Sequence, residues 1–140
     1  MNELDLAYAA GIVDGEGCIS VKNKKARKEN KAVSTPCIYL CMADKELIYW
    51  FKDYFDTGYI SHRKGRKEHY KDQYRWVIEG SKCLEFLRLI SPYLRGKRPQ
   101  ALELLKWPVH KHMIGVSLSD EFLRERVRIT QTLKDLKRLV

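Results

Sequence analysis

No stretch of this 140-residue chain stays apolar for the roughly 20 residues that a bilayer-spanning helix needs, which removes transmembrane readings. The opening Met1-Asn2-Glu3-Leu4-Asp5 lacks the basic region and apolar run of a secretory leader, so the expected setting is intracellular. Cysteine is sparse and badly spaced for metal. Cys18, Cys37, Cys41 and Cys83 do not form the two close pairs of a structural zinc site, and free thiols in a reducing compartment fit them best. The histidines His62, His69, His110 and His112 likewise form no ligand spacing. The glycine motif that cradles nucleotide phosphates is absent, which argues against kinase, helicase and polymerase readings. There is no tandem repeat, so any twofold symmetry must come from separate chains. Acid is also short: 18 Asp and Glu stand against 27 Lys and Arg, a formal charge of +9 that suits a polyanionic partner.

What is present is enough for one core. A hydrophobic content of 44% in this length supports a single domain over residues 1–140, with a helical C-terminal portion from about residue 99. The positive charge is clustered. Lys22, Lys24, Lys25, Arg27, Lys28 and Lys31 are opposed only by Glu29, and a second group gathers around Arg63, Lys64, Arg66, Lys67, Lys71 and Arg75. Arg95, Lys97 and Arg98 form a third, whereas from Asp120 onward acids and bases alternate as on a solvated helix.

Periodicity orders the elements. Asn2 is placed to cap a helix from about residue 3 to 13, with Leu4, Tyr8 and Ile12 on one stripe and the small or short side chains Ala7, Ala10, Gly11 and Asp14 on another. A helix apolar on all sides must be covered on all sides. One stripe is expected to pack on the chain's own sheet and the small one on an equivalent helix of a second copy; complete burial within one chain is the competing expectation. Alternation then predicts strands at about 18–24 and 35–43, joined by a basic tip, with Ile19, Val21, Ile38, Leu40 and Met42 inward. Ser20, Lys22, Lys24, Tyr39 and Cys41 face outward. Asp44 caps a helix carrying Leu47, Ile48, Trp50, Phe51, Tyr54 and Phe55, which Thr57-Gly58 ends. A second hairpin over about 59–64 and 73–79 turns Tyr74, Trp76 and Ile78 inward and Ser61, Arg63 and Arg75 outward. Ser81 and Ser119 are placed as caps of later helices, and Pro99 sits in a first turn. The predicted class is α+β: helix, hairpin, helix, hairpin, helix, with a four-stranded antiparallel sheet bearing helices on one face. Its uncovered basic face has a form that can enter a DNA major groove, where Lys and Arg meet guanine acceptors and phosphates.

The most specific local sequence is Ala9-Ala10-Gly11-Ile12-Val13-Asp14-Gly15-Glu16-Gly17-Cys18-Ile19, which joins the first helix to the first strand through glycines and acids. Glycine permits the tight turn, and a carboxylate at the end of a helix paired with its twin could collect a divalent cation near a twofold axis. This segment resembles the signature of the LAGLIDADG homing endonucleases, with Ala9 for the first Leu and Glu16 for the second acid. The resemblance continues in element order to Ser91-Pro92-Tyr93-Leu94-Arg95-Gly96-Lys97-Arg98-Pro99-Gln100-Ala101, similar to the family segment that supplies a basic residue to the catalytic pocket.

The resemblance implies a saddle-shaped homodimer of the single-motif branch. Such a dimer cuts both strands of a long, nearly palindromic double-stranded DNA site across the minor groove, leaving short 3′ overhangs. It implies Mg2+, with Mn2+ able to substitute and Ca2+ supporting binding with little cleavage. Glu16 and the Gly15 carbonyl would hold the metal, Lys97 would supply the basic group, and Asp44 would lie near the attacking water, although capping alone accounts for Asp44. Ser20, Lys22, Lys24, Arg27, Tyr39, Cys41, Ser61, Arg63 and Arg75 are the expected DNA contacts, and Ala7, Ala10, Gly11 and Asp14 the expected dimer contacts. Competing functions are a binding-only regulator, a splicing cofactor for intron RNA, and a structural metal-binding dimer. The last leaves the basic hairpins without a common purpose.

Overall fold

The computed structural model describes residues 1–25, 32–109 and 119–139, with the side chains of 24, 25 and 32 outside that description. The first helix, α1 (Glu3–Glu16), starts where Asn2 Oδ1 accepts the Leu4 amide at 2.7 Å, and Glu3 and Asp5 place acid near the positive end of the helix dipole. It is three residues longer than alternation and spacing suggested, so Asp14, Gly15 and Glu16 form its last turn. Gly17 ends it with its N–H on the Val13 carbonyl. A Cβ there would stand 2.8 Å from the Val13 oxygen, so glycine lets the chain turn into a strand with no intervening loop.

Four strands follow the alternation: β1 (Gly17–Lys25), β2 (Ala32–Met42), β3 (Tyr59–Arg63) and β4 (Gln73–Glu79), in the antiparallel order β1-β2-β4-β3. Register places Tyr39 between Cys18 and Val77, and Arg75 between Cys41 and Ser61. The inward set, Ile19, Ile38, Leu40, Trp76 and Ile78, is buried as read from the sequence. Against it pack α1, α2 (Lys45–Phe55), α3 (Ser81–Ile90), α4 (Arg98–Leu104) and α5 (Asp120–Arg138), with a short 3-10 turn at Ser91–Tyr93. Phe55, Trp76 and Phe86 meet edge to face or stacked with centroids 4.7 to 6.1 Å apart, and the Trp76 indole N–H reaches the Thr57 carbonyl at 3.0 Å.

Two caps stand as expected: Asp44 Oδ1 accepts from the Leu47 amide at 3.0 Å, and Ser119 Oγ from the Phe122 amide at 3.2 Å. Ser81 does not cap α3. It is the first helical residue, and Gly80, at φ 67° where a side chain would be strained, is the cap with no side-chain bond.

The stripes of α1 also differ from the expectation. The buried side is Leu6, Ala9, Ala10 and Val13, while Leu4 is 78% exposed and Tyr8 50%; Ala7 and Gly11 are exposed with them. At 100° per residue, positions 6, 9, 10 and 13 share one face and 4, 7, 8, 11 and 15 the opposite one. Ala10 therefore belongs to the chain's own core. The small side chains Ala9 and Ala10 bring the helix backbone close to its neighbours, and the larger Leu4 and Tyr8 are left outside.

Candidate nucleic-acid interface and cleavage site

The acidic end of α1 is held by a long-range clamp. The Asp14 carboxylate accepts the Arg95 amide with one oxygen and the Lys97 amide with the other, both at 2.8 Å, and Lys97 Nζ donates to the Asp14 backbone carbonyl at 2.5 Å. Asp14 thus fastens the segment after the 3-10 turn to the motif instead of facing outward in the small stripe. The clamp has an electrostatic reason. The last turn of α1 carries unpaired carbonyls and no basic residue of its own, so the ammonium of Lys97 answers the negative end of the dipole.

Glu16 and Gly15 are exposed, and a Cβ on Gly15 or Gly11 would meet nothing within 4 Å. Glu16 opens into a cleft shared with Asp44, Cys41, Gln73 and Lys71. The structure thereby brings together Glu16, the last residue of α1, and Asp44, the N-cap of α2, while Lys97 is bonded to the motif through Asp14. Among the described residues no three His, Cys, Asp or Glu side chains lie close enough to hold a metal within one chain. The donor chemistry at the α1 end is nevertheless hard oxygen, a carboxylate with neighbouring helix-end carbonyls. That suits an ion which keeps much of its water and completes its shell from phosphate.

On the outer face of the sheet, Ser20, Lys22, Tyr39, Cys41, Ser61, Arg63 and Arg75 are all at least partly accessible. The side chain of Lys24 and the whole of Arg27 lie outside the described residues. The expected contacts are not electrostatically alike. Lys22 pairs with Glu79 at 3.0 Å, and this hydrogen bond and charge raise the Lys22 pKa. Tyr59 adds its hydroxyl to the same carboxylate at 3.3 Å. Arg75 lies over the Tyr39 ring at 4.5 Å, and Tyr39 is itself shifted upward, first by its hydrogen bond to Cys18. Arg63 enters no ion pair among the described residues.

The β3–β4 turn is pinned. Asp72 accepts from the Gly65 amide at 2.9 Å and contacts His62 Nε2 at 2.9 Å, and these bonds lower its pKa, the Gly65 bond most. His62 in turn stacks on Tyr74 with centroids 4.8 Å apart. Glu79, Asp72 and the clamping role of Asp14 were not read from the sequence. Period two from Arg75 would have put Glu79 outward, but no local pattern links Asp14 to residues more than eighty positions away.

The LAGLIDADG endonuclease profile matches residues 9–106, and the chain belongs to that family. Solved structures agree in fold at low identity. The homing endonuclease I-CvuI in complex with its target in the presence of calcium superposes with a TM-score of 0.74 at 20% identity, covering 96% of this chain and 82% of that one. The archaeal intron-encoded homing endonuclease I-Vdi141I complexed with DNA gives 0.68 at 19%, covering 96% and 84%. The meganuclease I-SmaMI bound to uncleavable DNA gives 0.60 at 16%, and there 97% of this chain covers only 44% of the other. No curated protein sequence matches significantly.

Proposed function

We propose that the chain is a site-specific homing endonuclease that works as a homodimer and hydrolyses both strands of a long pseudo-palindromic DNA site, leaving short 3′ overhangs. One observation carries this reading: the exposed apolar side of α1, Leu4, Ala7, Tyr8 and Gly11, runs directly into the turn that presents Gly15 and Glu16. A surface that seeks a second copy and the carboxylate that seeks a cation share one helix end, so pairing two helices brings two Glu16 side chains toward one axis. I-SmaMI, of which this chain covers 44%, has about twice the length, as two such units in one chain would have.

Each chain contributes a set of defined tasks. Glu16 and the Gly15 carbonyl would hold Mg2+, which when bound would polarise the phosphate and lower the pKa of water. Asp44 spends one oxygen on its helix cap and keeps the carboxylate in the Glu16 cleft, where it orients the attacking water. That water forms the new bond to phosphorus as the bond to the 3′ oxygen breaks, giving a 5′ phosphate and a 3′ hydroxyl. Lys97, steadied by the Asp14 carbonyl, stabilises the charge that gathers on the phosphate. Ser20, Lys22, Lys24, Arg27, Tyr39, Cys41, Ser61, Arg63 and Arg75 contact DNA from the two hairpins.

The test is to incubate the protein and Mg2+ with duplexes randomised around a palindromic centre and to sequence the ends produced. Enrichment of one family of sites cut on both strands is the expected result. Selective binding with no ends at any site overturns the nuclease reading in favour of a regulator or an intron-RNA splicing cofactor.

A further inference from the structure

The cation that the motif resemblance nominates is not alone near the cleavage cleft. Lys97 is tied to the end of α1, its ammonium on the Asp14 carbonyl and its amide on the Asp14 carboxylate, and it keeps donors for a phosphate. The cleft holding Glu16 and Asp44 is itself lined by Lys71, from the second hairpin. Lys71 is exposed and enters no ion pair among the described residues, whereas Lys22, Lys82 and Lys106 each have a carboxylate within 3.4 Å. Its backbone lies in an ordered turn. It precedes Asp72, whose carboxylate bonds to the Gly65 amide and His62, and it follows Tyr70, whose amide bonds to the Lys67 carbonyl. The turn is compact enough that a Cβ on Gly65 would stand only 2.0 Å from the Tyr70 carbonyl oxygen. A lysine that lines the cleft of Glu16 and Asp44 and pairs with neither among the described residues leaves its ammonium for a third anion that enters the cleft.

We infer that Lys71 is a phosphate-contacting residue of the cleavage site, its ammonium donating to a non-bridging oxygen of the DNA backbone phosphate that occupies the Glu16–Asp44 cleft. The inference rests on the proposed endonuclease reading. It adds a positive group supplied by β4's leading turn, so that strand cutting is coupled to the seating of the second hairpin on DNA.

The experiment compares the full-length wild type with Lys71→Met, Lys71→Arg and, as a control on a lysine already paired with Glu85, Lys82→Met. A duplex is first selected by binding in Ca2+, so that its choice does not depend on cleavage. Affinity is then measured across a salt series, and single-turnover cleavage in Mg2+ at saturating protein. For two copies per dimer, Lys71→Met lowers the magnitude of the log–log salt slope by about 1.8, since each phosphate contact contributes about 0.9. It also slows cleavage at saturation by at least about tenfold. Lys71→Arg restores the slope and most of the rate, and Lys82→Met matches wild type. A wild-type slope in Lys71→Met overturns the inference, and so does a lowered slope with an unchanged saturated rate, because the phosphate it meets then lies outside the cleavage cleft. If wild type binds but cuts nothing, the nuclease reading fails, and the inference falls with it.

Discussion

Among the described residues, two of the surfaces left open are built from opposite materials. The outer side of α1 is apolar: Leu4, Ala7, Tyr8 and Gly11, with no charged side chain between Asp5 and Asp14. The outer face of the sheet is polar, and its charges are arranged in pairs and stacks, Lys22 with Glu79 and Arg75 over Tyr39. Water leaves the first surface readily and the second only at a cost that an opposite charge must offset. The first is therefore suited to a like surface on another copy of the chain, and the second to a polyanion that supplies many charges at once.

The contrast is most sharply broken at Gly11. Its Cβ direction is open, so Gly11→Leu leaves the monomer fold intact and, by helix propensity, favours it by about 0.8 kcal/mol. It should nonetheless hold the paired helices apart. Sedimentation is expected to show a folded monomer with specific DNA binding and cleavage lost. A fully dimeric Gly11→Leu protein would move the interface off this face.

The next effect in size concerns the clamp between the two surfaces. Asp14→Ala removes two charge-assisted acceptors from the 95–97 backbone, a loss of about 1.5 to 3 kcal/mol for each bond in thermal or urea unfolding. Asp14→Asn, which keeps one good acceptor oxygen, should lose about half as much. Equal stability of both variants with wild type would show that the clamp contributes nothing to the fold.

A smaller difference separates lysine from arginine on the sheet. Lys22 must give up Glu79 to meet a phosphate, whereas Arg63 has no such partner among the described residues. Arg63→Ala should therefore reduce the salt dependence of DNA binding by about 0.9 per contact, and Lys22→Ala by clearly less. Indistinguishable slopes would mean that the Lys22–Glu79 pair is not maintained in solution.

The smallest effect is a pH dependence of the second hairpin. The Asp72 pKa is depressed below its ordinary 3.8, so the carboxylate's contribution is complete above that value and declines as the pH falls through the folded-state pKa. The Gly65 amide resonance should report the change below about pH 4, and Asp72→Asn should abolish its titration. A Gly65 signal whose titration midpoint lies at or above the ordinary 3.8 would contradict the clasp.

Much of this molecule was legible because its signals are local. Alternation identified all four strands and the inward row Ile19, Ile38, Leu40, Trp76 and Ile78, and the Asn2, Asp44 and Ser119 caps each act within three residues. The acidic motif placed Glu16 at a helix–strand junction, and the structure joins it to Asp44 in one cleft. What escaped depends on tertiary context. Periodicity cannot decide which of two apolar stripes faces inward: in α1 Ala7 and Gly11 are outside as expected, but Leu4 and Tyr8 join them there and Ala10 is inside. Asp14 looked like one more short side chain until the fold carried Arg95 and Lys97 to it, and Lys71 sits in a turn where charge has no period.

The central claim, that Glu16 at the paired helix end carries the metal-dependent chemistry, meets its most direct test in Glu16→Gln. The substitution keeps side-chain length and removes the charge that a divalent cation needs. On one binding-selected duplex, affinity would be measured in Ca2+ and single-turnover cleavage in Mg2+ and in Mn2+. The account predicts DNA affinity within a few fold of wild type, with cleavage of both strands reduced on the order of 100-fold or more. Cleavage by Glu16→Gln at the wild-type rate would contradict it and leave α1 as a dimerisation helix without a catalytic end.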